Sequence, residues 1–177
     1  MTYVVGIDPS LTSTGFCSLS SPEGVLATTT QTFTSSPKSP RVADRIERYL
    51  DLTDAIARAA RAADPVLIAI EGYSFGSKGR GIIDRAEFGG ILRWRLGSIA
   101  PLVEVAPTVV KRWATGSGNA GKAEVVSKLA NRYRVHFTTS DEFDAFALAL
   151  IALCYAGLVE PISKAQTEII SKLKAEG

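Results

Sequence analysis

The sequence predicts an α/β domain on a mixed five-stranded sheet, its first three strands antiparallel, flanked by helices. Three observations predict it. Three β-branched segments separated by short turns come first. Strand-length apolar runs then alternate with stretches of helical periodicity, the pattern of parallel strands joined by helical crossovers. The length of 177 residues supports one core without a staple.

Residues 2–7 form a β-branched run that ends at Asp8-Pro9-Ser10, a strand entering a turn. Residues 14–19 and 25–33 are rich in Thr, Val and Phe, with Ser20, Ser21, Pro22 and Gly24 between them; they read as two further strands of a meander. Residues 35–40 are a proline- and serine-rich loop. Over residues 41–63, Val42, Ile46, Tyr49, Leu50, Thr53, Ile56 and Ala60 recur at helical spacing. Asp64-Pro65 stops that helix, because proline disfavours helix in the residue before it. Residues 66–70 are a continuous apolar run suited to a central strand, and Glu71-Gly72 follows. Residues 74–81 are glycine-rich and basic. Helix returns over 82–96, a short strand follows at 102–105, and Pro107 opens a helix to about Trp113. After the loop at 115–121 come helices at 122–134 and 141–156. The expected division is one main domain over 1–160 and a weakly amphipathic helical tail over 161–177.

Four carboxylates sit at special places. Asp8 ends the first strand and Glu71 ends the fourth. Asp141 and Asp144 open a late apolar helix three residues apart, so they share a face. If the first and fourth strands are neighbours, Asp8 and Glu71 emerge side by side, and a helix packed there brings in the other two. Clustered carboxylates resist ionisation unless cations share the site. An all-oxygen set suits Mg²⁺ or Mn²⁺, and two such ions about 4 Å apart can hydrolyse a phosphodiester. The one histidine, His136, falls in a loop stretch.

Gly6-Ile7-Asp8-Pro9, Thr14-Gly15, Ile70-Glu71 and Asp141-Glu142-Phe143-Asp144-Ala145, in that order, resemble the motifs of the RuvC family of Holliday-junction resolvases. The likeness runs from about residue 4 to residue 156. It implies the RNase H-like nuclease fold and a metal-dependent endonuclease that resolves four-way junctions and related branched DNA by paired, symmetric nicks with 5′-phosphate ends, in recombination and repair. Asp8, Glu71, Asp141 and Asp144 correspond to the family's catalytic metal-binding acids. Two Mg²⁺ ions per site are implied, with Mn²⁺ able to substitute. Lys111 and Lys122 flank the 115–121 loop where the family carries lysines for DNA binding and cleavage; Lys122 is expected to stabilise the phosphate and Lys111 to position the backbone.

The chain departs from the family pattern at three places. Ser10 stands where glycine is usual after Asp-Pro, and Gly72 where glutamine commonly follows the strand-end Glu. Ser74 occupies the place of an aromatic that stacks on a junction base in some members. Its neighbours Tyr73 and Phe75 are the aromatics available to stack, and Lys78 and Arg80 are basic candidates for DNA beside them. The small residues Ala86, Gly89 and Gly90 permit close approach of another helix, and the resemblance implies a homodimer whose two-fold axis matches a two-fold junction. Trp94 and Trp113 read as core or interface residues.

The net charge of +2 argues against a tail-type nucleic-acid binder. It conceals eleven basic against four acidic residues between positions 72 and 139, a local +7 suited to phosphates. Cys17 and Cys154 are far apart in apolar stretches, which excludes a disulfide framework. The longest uncharged stretch, 145–159, is shorter than the roughly 20 residues of a membrane span. No signal peptide is legible, and a cytoplasmic setting in a bacterial or virus-infected bacterial cell is expected. The alternatives are a same-fold nuclease acting on RNA or RNA–DNA hybrids and a branched-DNA-binding module without catalysis. An actin-like ATPase needs two lobes, for which this chain is too short.

Overall fold

The computed structural model describes residues 1–73 and 80–176. Its strands are β1 (Tyr3–Asp8), β2 (Ser13–Ser20), β3 (Ala27–Thr34), β4 (Pro65–Glu71) and β5 (Leu102–Val105). Its helices are α1 (Val42–Ala63), α2 (Arg80–Gly97), α3 (Pro107–Thr115), α4 (Lys122–Tyr133), α5 (Ser140–Tyr155) and α6 (Lys164–Glu176). The sheet order is β3-β2-β1-β4-β5. β2 pairs antiparallel with β1 and β3, whereas β4 pairs parallel with β1 and β5. The expected mixed five-stranded sheet is therefore present, with β1 and β4 side by side. Pro65 takes the first position of β4, where its missing N–H costs the sheet least.

Strand side chains alternate between faces, and that alternation sorts the core into two layers. Val5, Ile7, Phe16, Ile68 and Ile70 pack with Tyr49, Leu52, Ile56, Phe88 and Leu92 of α1 and α2. Val4, Cys17, Leu19, Leu67 and Ala69 pack on the opposite face with α3, α5 and α6. Asp8 continues the Val4–Gly6 row and Glu71 the Leu67–Ala69 row. Both strand-end acids thus belong to the face that α5 covers.

α5 is apolar all round because it is enclosed all round, by the sheet on one side and by α3, α4 and α6 on the other. Its backbone lies directly on β1 and β2. A Cβ on Gly6 would collide with the Ala145 carbonyl oxygen and the Ala149 nitrogen, and one on Gly15 with the Asp141 carbonyl. The two glycines of the Gly-Ile-Asp and Thr-Gly motifs are therefore contact points for the helix that carries Asp141 and Asp144. Thr139 caps α5, accepting from the Glu142 N–H, while the Glu142 carboxylate accepts from the Thr139 N–H. This reciprocal pair satisfies donors that a helix start leaves free.

On α1 the buried stripe runs through Tyr49, Leu52, Thr53, Ile56, Ala57 and Ala60. Leu50, placed on that stripe by its spacing, lies half exposed beside it. Trp113 is buried, but Trp94 is 77% exposed on α2. α6 seats Ile169, Ile170 and Leu173 in the α5-side core. Its Gln166 Nε2 donates to the Trp113 carbonyl, and Arg112 of α3 pairs with Glu168 at 2.6 Å. Both cysteines are buried free thiols. Among the described residues no helix is long and apolar enough to cross a membrane.

Candidate active site

The turn after β1 is closed by one hydroxyl. Thr14 Oγ1 donates to the Ser10 carbonyl at 2.6 Å and accepts from the Ser10 N–H at 3.1 Å. Ser10 is not among the positive-φ residues, so this turn needs no glycine and serine fits it. The turn leads back into β2, where Ser13 donates its hydroxyl to Asp141 Oδ2.

Three of the four expected acids converge closely. Asp8, Asp141 and Asp144 each offer a carboxylate oxygen within 4.8 Å of the others. Glu71 stands beyond that triad. It ends β4 one step past the Ile7–Ile70 pair, and the charges of Asp8 and Asp144 act on it. Lys122, the first residue of α4, places Nζ 2.9 Å from Asp141 Oδ1 and 3.4 Å from Asp144 Oδ2. The Lys111 charge acts on both Glu71 and Asp144.

The carboxylates divide by environment. Burial, then the charges of Asp144 and Asp141, push the Asp8 carboxyl up to about 7, against the opposing pull of Lys122. Burial, then Asp8 and Asp144, push Glu71 up to about 8, with Lys122 and Lys111 opposing. Burial likewise raises Asp144. At Asp141 burial is outweighed by hydrogen bonds from Lys122 and Ser13 and by the Lys122 charge, which hold it below the usual carboxylate range. This hard, all-oxygen, mutually repelling donor set fits a divalent cation, whose charge relieves the repulsion.

These shifts set a pH dependence. An unfolded chain releases the Asp8 and Glu71 protons near pH 4, whereas the folded chain keeps them to about 7 and about 8. Over that window the folded state binds more protons, so stability falls as pH rises. Melting in EDTA between pH 5 and 9 should therefore show native protein losing more stability than Asp8→Asn or Glu71→Gln. Equal slopes would contradict the burial of these charges.

A family model described as crossover junction endodeoxyribonuclease RuvC matches residues 4–154. The chain belongs to the RuvC family. RuvC of Anaeromyxobacter sp. strain K is 29% identical over 163 residues, covering 92% of this chain and 86% of that one. RuvC of Mycobacterium ulcerans is 28% identical over 167 residues, covering 92% and 89%. In fold, Thermus thermophilus RuvC in complex with Holliday junction substrate superposes with a TM-score of 0.72 at 20% identity, over 89% of this chain and 96% of that one. The matched segment contains every acid of the site and both lysines.

The remaining expected DNA contacts fare differently. Tyr73 is partly exposed, but Arg93 covers one ring face at 4.3 Å from the centroid, and the Tyr73 hydroxyl donates to the Ala86 carbonyl. Phe75 and Lys78 lie outside the described residues, and Arg80 is placed only as the first residue of α2. Sequence reasoning missed Ser13, whose hydroxyl holds Asp141, and the Thr139–Glu142 cap. The cap was legible as Thr-x-x-Glu before an apolar run; nothing in the sequence marks Ser13.

Proposed function

We propose that this RuvC-family chain is a metal-dependent nuclease that resolves four-way junctions and related branched DNA in the cytoplasm, as a homodimer making paired nicks. The observation that carries the reading is the convergence of Asp8, Asp141 and Asp144 from separate elements, with Glu71 and Lys122 beside them. Asp8, Glu71, Asp141 and Asp144 would hold two Mg²⁺ ions, with Mn²⁺ as a substitute. Bound there, the ions supply activation of water and neutralisation of the leaving oxygen. Asp8 and Glu71, fixed at adjacent strand ends, orient the attacking water. The water oxygen bonds to phosphorus as the O3′ bond breaks, leaving a 5′-phosphate and a 3′-hydroxyl. Lys122 supplies positive charge to the scissile phosphate and Lys111 to its neighbour. In this reading residues 1–160 are the nuclease domain, and the helical tail braces α3, which carries Lys111.

The dimer reading is supported by the outward face of α2. Ile83, Ala86, Gly90 and Trp94 recur at spacings of three, four and four and are all exposed. Among the described residues, apart from its chain neighbours and the backbone of its own helix, nothing lies within 4 Å of where a Gly90 Cβ would stand. A partner helix could approach Gly90 closely, flanked by Ile83 and Trp94. Trp94→Glu should weaken dimerisation by about 30-fold or more, as loss of an interface tryptophan does. Sedimentation over a concentration series checks this; unchanged association would place the dimer elsewhere.

The substrate is tested by incubating the native chain in Mg²⁺ with a synthetic four-way junction, a flap and an RNA–DNA hybrid. Preference for the junction is expected. Preference for the hybrid would make the chain a ribonuclease of the same fold.

A further inference from the structure

We infer that Arg93 is the positioning residue of Glu71, an inference that rests on the nuclease reading above. Arg93 lies on α2 and reaches back over the end of β4. Its Nη2 donates to the carbonyl of Glu71 itself at 2.9 Å, its Nε to Glu104 Oε2 of β5 at 2.7 Å, and its Nη1 to the Gly89 carbonyl at 3.2 Å. The guanidinium plane also caps the Tyr73 ring. One side chain thus ties α2, β5 and the chain leaving β4 to the residue that presents the fourth acid.

Two glycines make room for this clamp. A Cβ on Gly72 would stand 3.0 Å from Glu104 Oε1 and 3.3 Å from its Cγ. A Cβ on Gly89 would stand 2.6 Å from the Tyr73 hydroxyl and 3.0 Å from Arg93 Nη1. Glycine is a poor helix former, so Gly89 stands in α2 against its propensity. A side chain at position 72 would likewise crowd the carboxylate that anchors Arg93.

The Glu71 carboxylate needs such a hold. It is partly buried among like charges at the last residue of a strand, where the ladder ends. The Gly72 N–H bonds the Val105 carbonyl on the β5 side, and Arg93 fixes the Glu71 carbonyl. Three of the guanidinium's five N–H donors are engaged inside the protein and its side chain is only 17% exposed, which suits a structural clamp better than a phosphate contact. A lysine cannot serve three acceptors in one plane.

The test uses full-length native chain, Arg93→Gln, Arg93→Lys and Glu104→Gln. Single-turnover nicking of a four-way junction is followed in Mg²⁺, junction binding against salt in Ca²⁺, and Mn²⁺ binding by calorimetry without DNA. Both Arg93 variants should nick about 10- to 100-fold more slowly at full amplitude and bind Mn²⁺ about tenfold more weakly, as loss of a group supporting a ligand does. Glu104→Gln should fall between them and native. The affinity for junction and its salt slope should stay native. Native rate constants and Mn²⁺ affinity in the variants would overturn the inference. So would reduced amplitude at a native rate, which marks folding alone, or a shallower salt slope, which marks a phosphate contact. A native chain that nicks no branched DNA overturns the nuclease reading instead, and the Mn²⁺ affinities still decide the role of Arg93.

Discussion

Asp8→Asn is expected to lose Mg²⁺-dependent nicking by on the order of 10³-fold or more, while junction binding in Ca²⁺ stays at native strength or tightens. The two halves of that result have different causes. Asp8 is the member of the converging triad that comes from the sheet, whereas Asp141 and Asp144 come from one helix turn. Removing it leaves two acids that Lys122 already bridges. Binding, by contrast, depends on positive charge meeting phosphate. An asparagine removes a negative charge from that surface, so affinity has no reason to fall. The substitution also removes a buried carboxyl held up to about 7. The variant should therefore melt higher than native at pH 8 in EDTA, which separates lost chemistry from lost folding. Full nicking by Asp8→Asn would remove Asp8 from the mechanism.

Gly15→Ala is expected to cost about 3 kcal/mol of stability, the upper part of the range for overpacking a core, and about 10 °C in Tm for a chain of this size. The added Cβ meets the carbonyl of Asp141, which is backbone and cannot swing away. Relief requires α5 to lift from β2. That movement carries Asp141 and Asp144 with it, and a displacement of about 1 Å at such a site costs about 10²-fold in rate. Gly6→Ala should act in the same direction, because its Cβ meets the Ala145 carbonyl and the Ala149 nitrogen one turn further along the helix. Thermal melts and single-turnover nicking check both. Native stability in Gly15→Ala would mean that α5 does not sit where its contacts with β1 and β2 place it.

These glycines show what the sequence could and could not say. The order of strands and helices was legible because each carries its own period, and Asp64-Pro65 marked the change from helix to strand. The acids at strand ends were legible because a charge directly after an apolar strand is unusual. The condition that β1 and β4 be neighbours could not be read from periodicity, since pairing is a long-range property. Parity then turns Asp8 and Glu71 to the same face once the pairing is known. Gly6 and Gly15 were visible only as motif letters; their purpose appears when α5 is seen lying on them. Of the two places the sequence offers Trp94, core or interface, its exposure excludes the core of this chain, because α2 turns that side away from the sheet. Ser13 and Arg93 carried no signal, since each acts on a residue distant in sequence. Tyr73, which the sequence leaves open to base stacking or to core packing, has Arg93, 20 positions later, over its ring.

The dimer and the nuclease centre would meet at α2. One face of the helix presents Ile83, Ala86, Gly90 and Trp94 outward, and Arg93, next to Trp94, reaches Glu71. A helix fixed by a partner subunit would in turn fix the arginine that holds the fourth acid.

The most direct measurement is nicking of one synthetic four-way junction by the native chain, with every strand end mapped, in Mg²⁺ and in EDTA. Two nicks at symmetry-related positions, bearing 5′-phosphates and appearing only with the divalent ion, are the predicted result. Equal cleavage in EDTA, or an intact junction in both Mg²⁺ and Mn²⁺, would contradict a metal-dependent junction nuclease.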